Sequence, residues 1–466
     1  MVFVALGDTE EIGASCHFLQ IGETGLVLDA GADPEEEGED SLPRFDLIHR
    51  RSDWYVDHAI ITHAHHDHVG SLPVLIREFP HVQVHMTRAT RDLTDFVLPA
   101  SARLQRRRLR EGSSSAPPLF GEEELEMHSY LYVTHELEDD FDLTGTRPQA
   151  PITGRFYNAG HILGSAGVLL RFQEDGAERT AFYTSDTNLR PQSIIPGGTY
   201  PDEPIDILIM ESTAGADPEA ELTTRRTEEK KLAEALKRVL ERGGTVLIPV
   251  FALGRAQEVL ALIDRFKRRG LIGEDIPVYT AGSMRAVADL YDKTRYVTPR
   301  LDPGFQVFGV DQRRLPRSQR AKRNALSEPS IHVVSSGMMF ERTLSNALAQ
   351  HLVSGEKNGI FLVGFAKEDS PAHRLLEAAA SDEEAPEVVI DRMVGPQPLR
   401  CDVDRFRLSG HSHRRDLLQL VEKLRPKKIV LVHGEEDARS WMEDNIRFFY
   451  PEIEIYRPKG GEPVTL

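Results

Sequence analysis

The sequence predicts a mixed α/β protein of at least two domains, and three observations predict it. At 466 residues the chain is too long for one ordinary core. From about Thr223 strand and helix patterns alternate regularly, as in a mostly parallel sheet covered on both faces. Before that point, and again after Gly395-Pro396, short strands, turns and helices are intermixed.

Taken in order, residues 14–21 and 26–29 read as short strands joined by the turn Gly22-Glu23-Thr24-Gly25. Residues 59–62 are apolar and β-branched, a buried strand, and residues 69–76 begin a helix. The Ser-, Gly- and Pro-rich stretch 111–118 is a loop. Residues 181–185 and 207–210 are further strands. A helix over 228–242 leads through Gly243-Gly244 to a strand at 245–250, and a helix over 257–269 precedes a strand at 276–279. Strands at 331–335, 359–363 and 428–432 follow.

Composition removes several classes. Hydrophobic content of 40% and charged content of 28% are globular values. No run approaches a membrane span, and the start, residues 1–8, lacks a basic segment and a long apolar core, so no membrane partner and a cytoplasmic location are expected. Two cysteines, Cys16 and Cys401, exclude a disulfide framework and a thiolate zinc site. The net charge is -18, with acidic runs at 33–40, 138–140 and 381–384. That balance favours solubility and disfavours non-specific nucleic-acid binding over the whole surface. Two basic runs, 103–110 and 313–323, read as exposed helix faces or loops rather than phosphate tracks.

The most informative stretch is His63-Ala64-His65-His66-Asp67-His68, directly after the strand at 59–62. In extended backbone His63 and His65 are two apart and point the same way. Asp67 and His68 fall where the following helix starts, and the turn there can aim both back at the same space. Three imidazoles and a carboxylate converging like this suit zinc, which takes nitrogen and oxygen ligands. Two ligand pairs in one short segment point to two metals. A solvated histidine-rich loop is the alternative. His66, between ligands, is read as facing away.

A two-metal site needs further donors and a group to bridge the ions. Asp29, Asp186, Glu211 and His433 each end an apolar strand. His161 lies in Gly160-His161-Ile162-Leu163-Gly164, whose glycines let backbone approach a crowded centre. His411 stands in Ser409-Gly410-His411-Ser412-His413. Singly, each is more often a satisfied structural polar residue. Together with the first motif they become candidates.

In this order the residues resemble the metallo-β-lactamase fold, and within it the β-CASP nuclease branch. The chain looks like bacterial and archaeal relatives of the endonuclease subunit of the eukaryotic mRNA cleavage and polyadenylation factor. Thr245-Val246-Leu247-Ile248-Pro249-Val250-Phe251-Ala252-Leu253-Gly254-Arg255-Ala256-Gln257-Glu258 resembles that branch's most recognisable segment. Ser335-Ser336-Gly337-Met338-Met339 and Leu431-Val432-His433-Gly434-Glu435 match too. With no KH domain ahead of the catalytic part, the chain is similar to the short bacterial form.

The resemblance implies an αββα sandwich over residues 1–210, a β-CASP α/β domain inserted at 211–394, and a return to the sandwich over 395–466. That return would let His411 and His433 reach His63. The resemblance also implies two zinc ions, one on His63, His65 and His161, the other on Asp67, His68 and His433, with Asp186 bridging. Asp29 would position a ligand histidine. Glu211 and His411 match a paired acid and histidine beside the ligands. Arg255, Ser336 and Gly337 are candidate substrate contacts, with packing the equal alternative.

Two zinc ions sharing a water lower its pKa towards neutrality. A histidine that is not a ligand, raised in pKa by Glu211, can then protonate the departing sugar oxygen. His411 is that candidate, and Asp67, His411 and Glu211 make the expected catalytic set. The implied activity is a zinc-dependent ribonuclease, endo or 5′-exo, in RNA processing or decay. DNA-acting members tend to lack the last histidine, so His433 favours RNA, single-stranded; a homodimer is compatible. The alternatives are a non-catalytic RNA-processing scaffold and a hydrolase of another substrate on the same fold. The chain departs from the family pattern where relatives carry glycines, at Phe340-Glu341-Arg342 and within 364–374, around Asp369 to His373. It departs again at His413, where an acidic residue is usual.

Overall fold

Short, turn-punctuated apolar segments pair into sheets whose successive residues face opposite ways. In chain order the first strands are β1 (Val2–Ala5), β2 (His17–Ile21), β3 (Thr24–Leu28), β4 (His58–Ile60), β5 (Gln83–Thr87), β6 (Tyr132–His135), β7 (Asp140–Asp142), β8 (Thr153–Asn158), β9 (Ala166–Glu174), β10 (Ala177–Tyr183) and β11 (Ile207–Glu211). β1, β2 and β3 are antiparallel, and β3 to β6 run parallel. β7 to β10 form an antiparallel meander, and β11 joins β10 in parallel. The structure is a computed structural model that describes residues 1–7, 13–147, 149–316, 318–364, 366–384 and 386–466, with backbone alone at 319, 321 and 323. Asp8, Arg317 and Phe365, which fall in stretches discussed above, lie outside the described residues.

Gln192–Pro196 and Glu219–Gly410 form a second compact unit. Its strands are β12 (Thr245–Pro249), β13 (Val278–Thr280), β14 (Arg313–Arg314), β15 (Ser330–Val334), β16 (Gly359–Leu362), the two-stranded ribbon of β17 (Glu387–Val388) and β18 (Gln397–Pro398), and β19 (Asp402–Arg405). Six of these pair in parallel in the order β14-β13-β15-β12-β16-β19. Val246, Leu247 and Ile248 are all fully buried, as the continuous apolar run of a doubly covered parallel strand requires. Residues 395–410, expected with the return segment, lie in this unit because β19 extends its sheet beside β16.

His411–Leu466 belongs to the first unit, with Met1–Pro191 and Gly197–Pro218. There β20 (Lys428–Val432) pairs in parallel with β11, β21 (Glu454–Tyr456) lies beyond it, and β22 (Pro463–Thr465) pairs with β1. Among the described residues this completes two seven-stranded sheets, β22-β1-β2-β3-β4-β5-β6 and β21-β20-β11-β10-β9-β8-β7. Leu28, Ile60, Val168, Ile209, Val430 and Val432 meet between the sheets. Val27 and Ala59 instead face Leu72, Leu75 and Leu98 of the helices on one side. Leu208, Met210 and Leu431 face Leu417, Met442 and Ile446 of the helices on the other. Helix, sheet, sheet, helix is the αββα sandwich that the resemblance implies. Each such buried side chain contributes about 1.5–3 kcal/mol, so a one-residue slip of any strand is excluded. No helix among the described residues is long and apolar enough to cross a membrane. Cys16 and Cys401 are free and buried.

Candidate metal centre

The candidate ligands gather at the C-terminal ends of strands that run the same way within each sheet. Asp29 follows β3, His63 to His68 follow β4, His161 follows β8, Asp186 follows β10, Glu211 ends β11 and His433 follows β20. His65 is extended, and Asp67 and His68 lie in the short helix His66–Val69, so the first motif turns as its spacing requires. The chain after Asp29 packs onto that turn: Ala30 N donates to the His68 carbonyl at 2.9 Å and Ser15 N to that of Asp67 at 2.8 Å. A Cβ on Gly31 would fall 1.8 Å from the Asp67 carbonyl, which demands glycine there. Gly160, beside His161, has φ +74° and would set a Cβ 2.4 Å from the Asn188 carbonyl. Asp29, Ser185 and His433 themselves hold φ of 59°, 52° and 49°, a conformation that clusters at functional sites.

Two groups of ligand atoms converge on Asp186. His65 Nδ1 lies 3.2 Å from His63 Nε2 and 3.1 Å from His161 Nε2. Asp186 Oδ2 lies 3.6 Å from both His63 Nε2 and His161 Nε2, and 3.4 Å from His68 Nε2. His433 lies 3.2 Å from Asp186 Oδ1 through Nδ1 and 3.6 Å from Asp67 Oδ2 through Nε2. Thus His63, His65, His161 and Asp186 form one group that could hold a metal ion, and Asp67, His68 and His433 another. Asp186, Glu211 and His433 make a third grouping of the same kind. His66 belongs to none of the three.

The surroundings fix which nitrogen each ring presents. Asp29 is fully buried and accepts from Thr62 N at 2.8 Å, the Thr62 hydroxyl at 2.9 Å, the Tyr183 hydroxyl at 2.9 Å and His68 Nδ1 at 2.9 Å. With Nδ1 committed as donor, His68 turns the lone pair of Nε2 towards Asp186. Thr213 Oγ1 lies 3.2 Å from the His433 carbonyl and 2.9 Å from His433 Nδ1. A hydroxyl donating to the carbonyl accepts from Nδ1, which leaves Nε2 as the lone pair facing Asp67. His68 Nε2, His433 Nε2 and Asp186 Oδ1 are buried without a hydrogen-bond partner among the described residues. Buried lone pairs crowded together are costly unless a cation satisfies them, so these residues fit bound metal.

Electrostatics agree with that reading. Burial opposes charge on Asp186 and Asp67, yet the surrounding histidines hold both carboxyls well below their usual range. Burial would likewise lower His68, but without a cation Asp186 and Asp29 raise it well above an ordinary imidazole, so a proton takes the Nε2 position that a bound cation would otherwise fill. His411 sits beside the ligands, its ring 4.5 Å from that of His161, and its Nδ1 donates to Glu211 Oε2 at 3.0 Å. The other oxygen of buried Glu211 accepts from Thr187 N at 2.5 Å. Burial lowers His411, but Glu211 and then Asp186 outweigh it and push the ring up to about 9.

The remaining candidates have different surroundings. Arg255 opens the helix Arg255–Arg268 in the second unit, is buried, and donates to Gln192 at 3.0 Å. Arg255 and Gly337 line one small cavity with Phe251, and the Ser336 hydroxyl is buried with no partner among the described residues. In the two stretches expected to depart from the family pattern, Arg342 and Asp369 hold φ of 66° and 62°. That left-handed backbone is the conformation glycine adopts most readily. His413 caps the helix Arg414–Leu424, accepting from Arg415 N at 3.2 Å. Sequence reasoning did not find Thr62, Tyr183, Ser185 or Thr213. Only the adjacency of Thr62 to His63 and of Ser185 to Asp186 hinted at them.

The models of three families match in chain order: "Metallo-beta-lactamase superfamily" over residues 10–161, "Beta-Casp domain" over 256–375, and "Zn-dependent metallo-hydrolase RNA specificity domain" over 396–458. The chain is 30% identical over 436 residues to the RNase J-like protein of Methanocaldococcus jannaschii, covering 92% of this chain and 91% of that protein. The chain belongs to the metallo-β-lactamase superfamily, in its β-CASP branch. It is also 29% identical over 486 residues to Endoribonuclease YSH1 of Eremothecium gossypii, with all of this chain matched to 60% of that protein. The β-CASP chain described here thus spans about 60% of the length of that relative. A crystal structure of a protein of unknown function from Enterococcus faecalis V583 shares the fold, with a TM-score of 0.56 at 14% identity, covering 100% of this chain and 99% of that one. The groups of His and Asp that could hold a metal ion thus lie in a chain of a metallo-hydrolase family.

Proposed function

We propose that this chain is a zinc-dependent ribonuclease that hydrolyses phosphodiester bonds of single-stranded RNA in RNA processing or decay. The observation that carries the reading is the pair of ligand groups converging on Asp186, with the His411–Glu211 pair beside them. The names of the relatives, an endoribonuclease and an RNase J-like protein, support RNA as the substrate.

His63, His65 and His161 would hold one zinc and Asp67, His68 and His433 a second, with Asp186 common to both. Bound there, the ions would supply Lewis acidity at a phosphate oxygen and a water acidic enough to ionise near neutral pH. The chain's own residues do the rest. Asp67 and Asp186 stay ionised among the histidines and supply the negative charge that retains cations. Asp29 orients His68, and Thr213 orients His433. Glu211, fixed by the Thr187 amide, receives Nδ1–H of His411 and favours the protonated ring. His411 then has a proton to give to the departing sugar oxygen.

End-labelled single-stranded RNA and DNA of one sequence test the reading. Purified protein should cut the RNA, chelation should stop it and zinc restore it, and Asp67→Ala should reduce cleavage to background. Undiminished cleavage by Asp67→Ala, or no metal-dependent cleavage by the unsubstituted chain, would sink the proposal.

A further inference from the structure

The basic run at 313–323, set aside as an exposed face, belongs to a larger feature. Residues 265–323 carry fourteen Lys and Arg against six Asp and Glu, in a chain whose net charge is -18. Large apolar side chains in the same stretch stand in solvent: Tyr296 is 72% exposed and Phe308 47%. Arginines lie over these rings. The Arg295 guanidinium is 4.6 Å from the Tyr296 centroid, that of Arg285 is 4.8 Å from Phe308, and that of Arg268 is 5.9 Å from Phe305. With Arg300 5.1 Å from buried Tyr291 there are four such pairs within about 40 residues, against about one per 70–80 in proteins.

Hydrogen bonds connect Arg285 and Phe308, and Arg295 through its 2.9 Å bond to the Asp292 carbonyl, on the second unit. Asp292, in the helix Met284–Lys293 that also carries Arg285, accepts from Val307 N at 2.7 Å and Phe308 N at 2.9 Å. Arg285 donates to the Gln312 carbonyl at 3.2 Å, and the Gln312 amide donates to the Val307 carbonyl at 3.0 Å. Arg313 and Arg314 follow at once as β14, the edge of the parallel sheet, and both are exposed. The acids nearby are largely committed: Asp292 to backbone amides, Asp289 to Lys293 at 2.6 Å, and Asp302 to Gly304 N at 2.8 Å. Asp311 is exposed beside Gln312, and Glu274 and Asp275 are exposed earlier in the stretch.

We propose that the surface formed by Arg285, Arg295, Tyr296, Phe308, Arg313 and Arg314 binds single-stranded RNA outside the metal centre. Its arginines meet phosphates while Tyr296 and Phe308 stack on bases. Charge with aromatic faces is the combination that holds single strands without reading sequence. In an otherwise acidic chain the other basic run, 103–110, pairs Arg103 and Arg106 with Glu122, Arg107 with Glu111 and Arg108 with Glu37, which leaves this patch the stronger place for a polyanion. The inference rests on the ribonuclease reading for its choice of polyanion.

The test measures anisotropy of a labelled, unstructured RNA of about 20 nucleotides with the full chain carrying Asp67→Ala, so that nothing is cut. Arg313→Glu with Arg314→Glu should weaken binding at least about tenfold and reduce the slope of log K against log salt by about 1.4. Tyr296→Ala should weaken it about tenfold with the slope unchanged. Arg313→Lys with Arg314→Lys keeps the charge and should keep the slope, which guards against misfolding of the glutamate pair. Unchanged affinity and slope in both the glutamate pair and Tyr296→Ala would overturn the proposal. So would binding of poly-L-glutamate that is tighter than RNA and lost in the glutamate pair, which assigns the patch to an acidic protein.

Cleavage separates this inference from the reading beneath it. In the chain with Asp67 intact, the glutamate pair should raise KM for long RNA and leave kcat unchanged. RNA cut with an unmoved KM sinks the patch and leaves the nuclease. Patch-dependent binding without any cleavage does the reverse.

Discussion

The first unit holds two clusters of histidines. His63, His65, His68, His161 and His433 stand beyond strand ends and point nitrogens at one another and at Asp186. His58, His85 and His135 stand on the neighbouring strands β4, β5 and β6. In this second cluster His58 Nε2 lies 3.3 Å from the Thr144 carbonyl, His58 Nδ1 lies 3.0 Å from His85 Nε2, and His85 Nδ1 lies 2.9 Å from His135 Nε2. A carbonyl only accepts, so His58 donates from Nε2, His85 donates to His58, and His135 donates to His85. Every contact in the chain has one donor and one acceptor. The metal centre has no such ordering: lone pairs remain buried and unmatched at His68 and His433. Histidine density therefore does not mark the candidate metal centre; unmatched convergence beside carboxylates is what sets it apart.

His411 is the intermediate case, a histidine beside the centre that donates to the Glu211 carboxylate, and it sharpens the comparison most. His411→Gln should lower kcat by about 10²–10⁴-fold while bound metal, measured by elemental analysis, stays at the level of the unsubstituted protein. An acid catalyst must carry its proton, so activity should fall as pH rises through the His411 pKa. Glu211 is the largest influence holding that pKa up. Glu211→Gln should therefore move the alkaline limb of the kcat profile to lower pH. Loss of metal in His411→Gln would instead place His411 among the ligands and blur the distinction.

Tyr183 tests how far the metal centre's order is imposed from outside. Its hydroxyl is one of the donors that saturate Asp29, and Asp29 commits His68 Nδ1. Tyr183→Phe keeps the ring in its packed place and removes one hydrogen bond. Zinc affinity, measured by competition with a chromogenic chelator, should fall by about 10–100-fold for one equivalent of metal, that served by His68. The equivalent served by His63, His65 and His161 should be little changed. Equal weakening of both, or of neither, would show that Tyr183 does not act through Asp29.

Much of the site was legible because its residues announce themselves locally. His63 to His68 lie within six positions, and Asp29, Asp186, Glu211 and His433 sit where apolar strands stop. Tyr183 was not legible. Its partner Asp29 follows β3 in the opposite sheet, and which residues meet across a sandwich depends on how two sheets stack. The chain of His58, His85 and His135 was hidden for a related reason. Its contacts depend on the parallel registers that set Ile60 against His85 and Thr87 against His135. The texture change at Gly395-Pro396 marked a ribbon, and β19 still adds to the second unit's sheet after it. Local pattern finds strand ends well; it says little about which strands become neighbours.

The smallest expected effect lies in the second histidine cluster. His85→Phe keeps an aromatic ring facing Phe141, whose centroid is 5.6 Å from that of His85. It leaves His58 Nδ1 and His135 Nε2 without their partner. The cost should be about 1–3 kcal/mol in stability, read as a lower melting midpoint, with zinc content and cleavage unchanged. The pH dependence carries its own sign. Burial first, then His58 and His135, push His85 down to about 3, whereas an unfolded histidine titrates near 6.5. Between those values the unfolded chain binds a proton that the folded chain refuses, so His85 makes stability fall as pH falls from about 6.5 to about 3. The phenylalanine variant takes up one proton fewer on unfolding and should show a shallower acid limb. If His85→Phe instead released metal, the two clusters would be coupled, and the separation between ordered and unmatched histidines would fail.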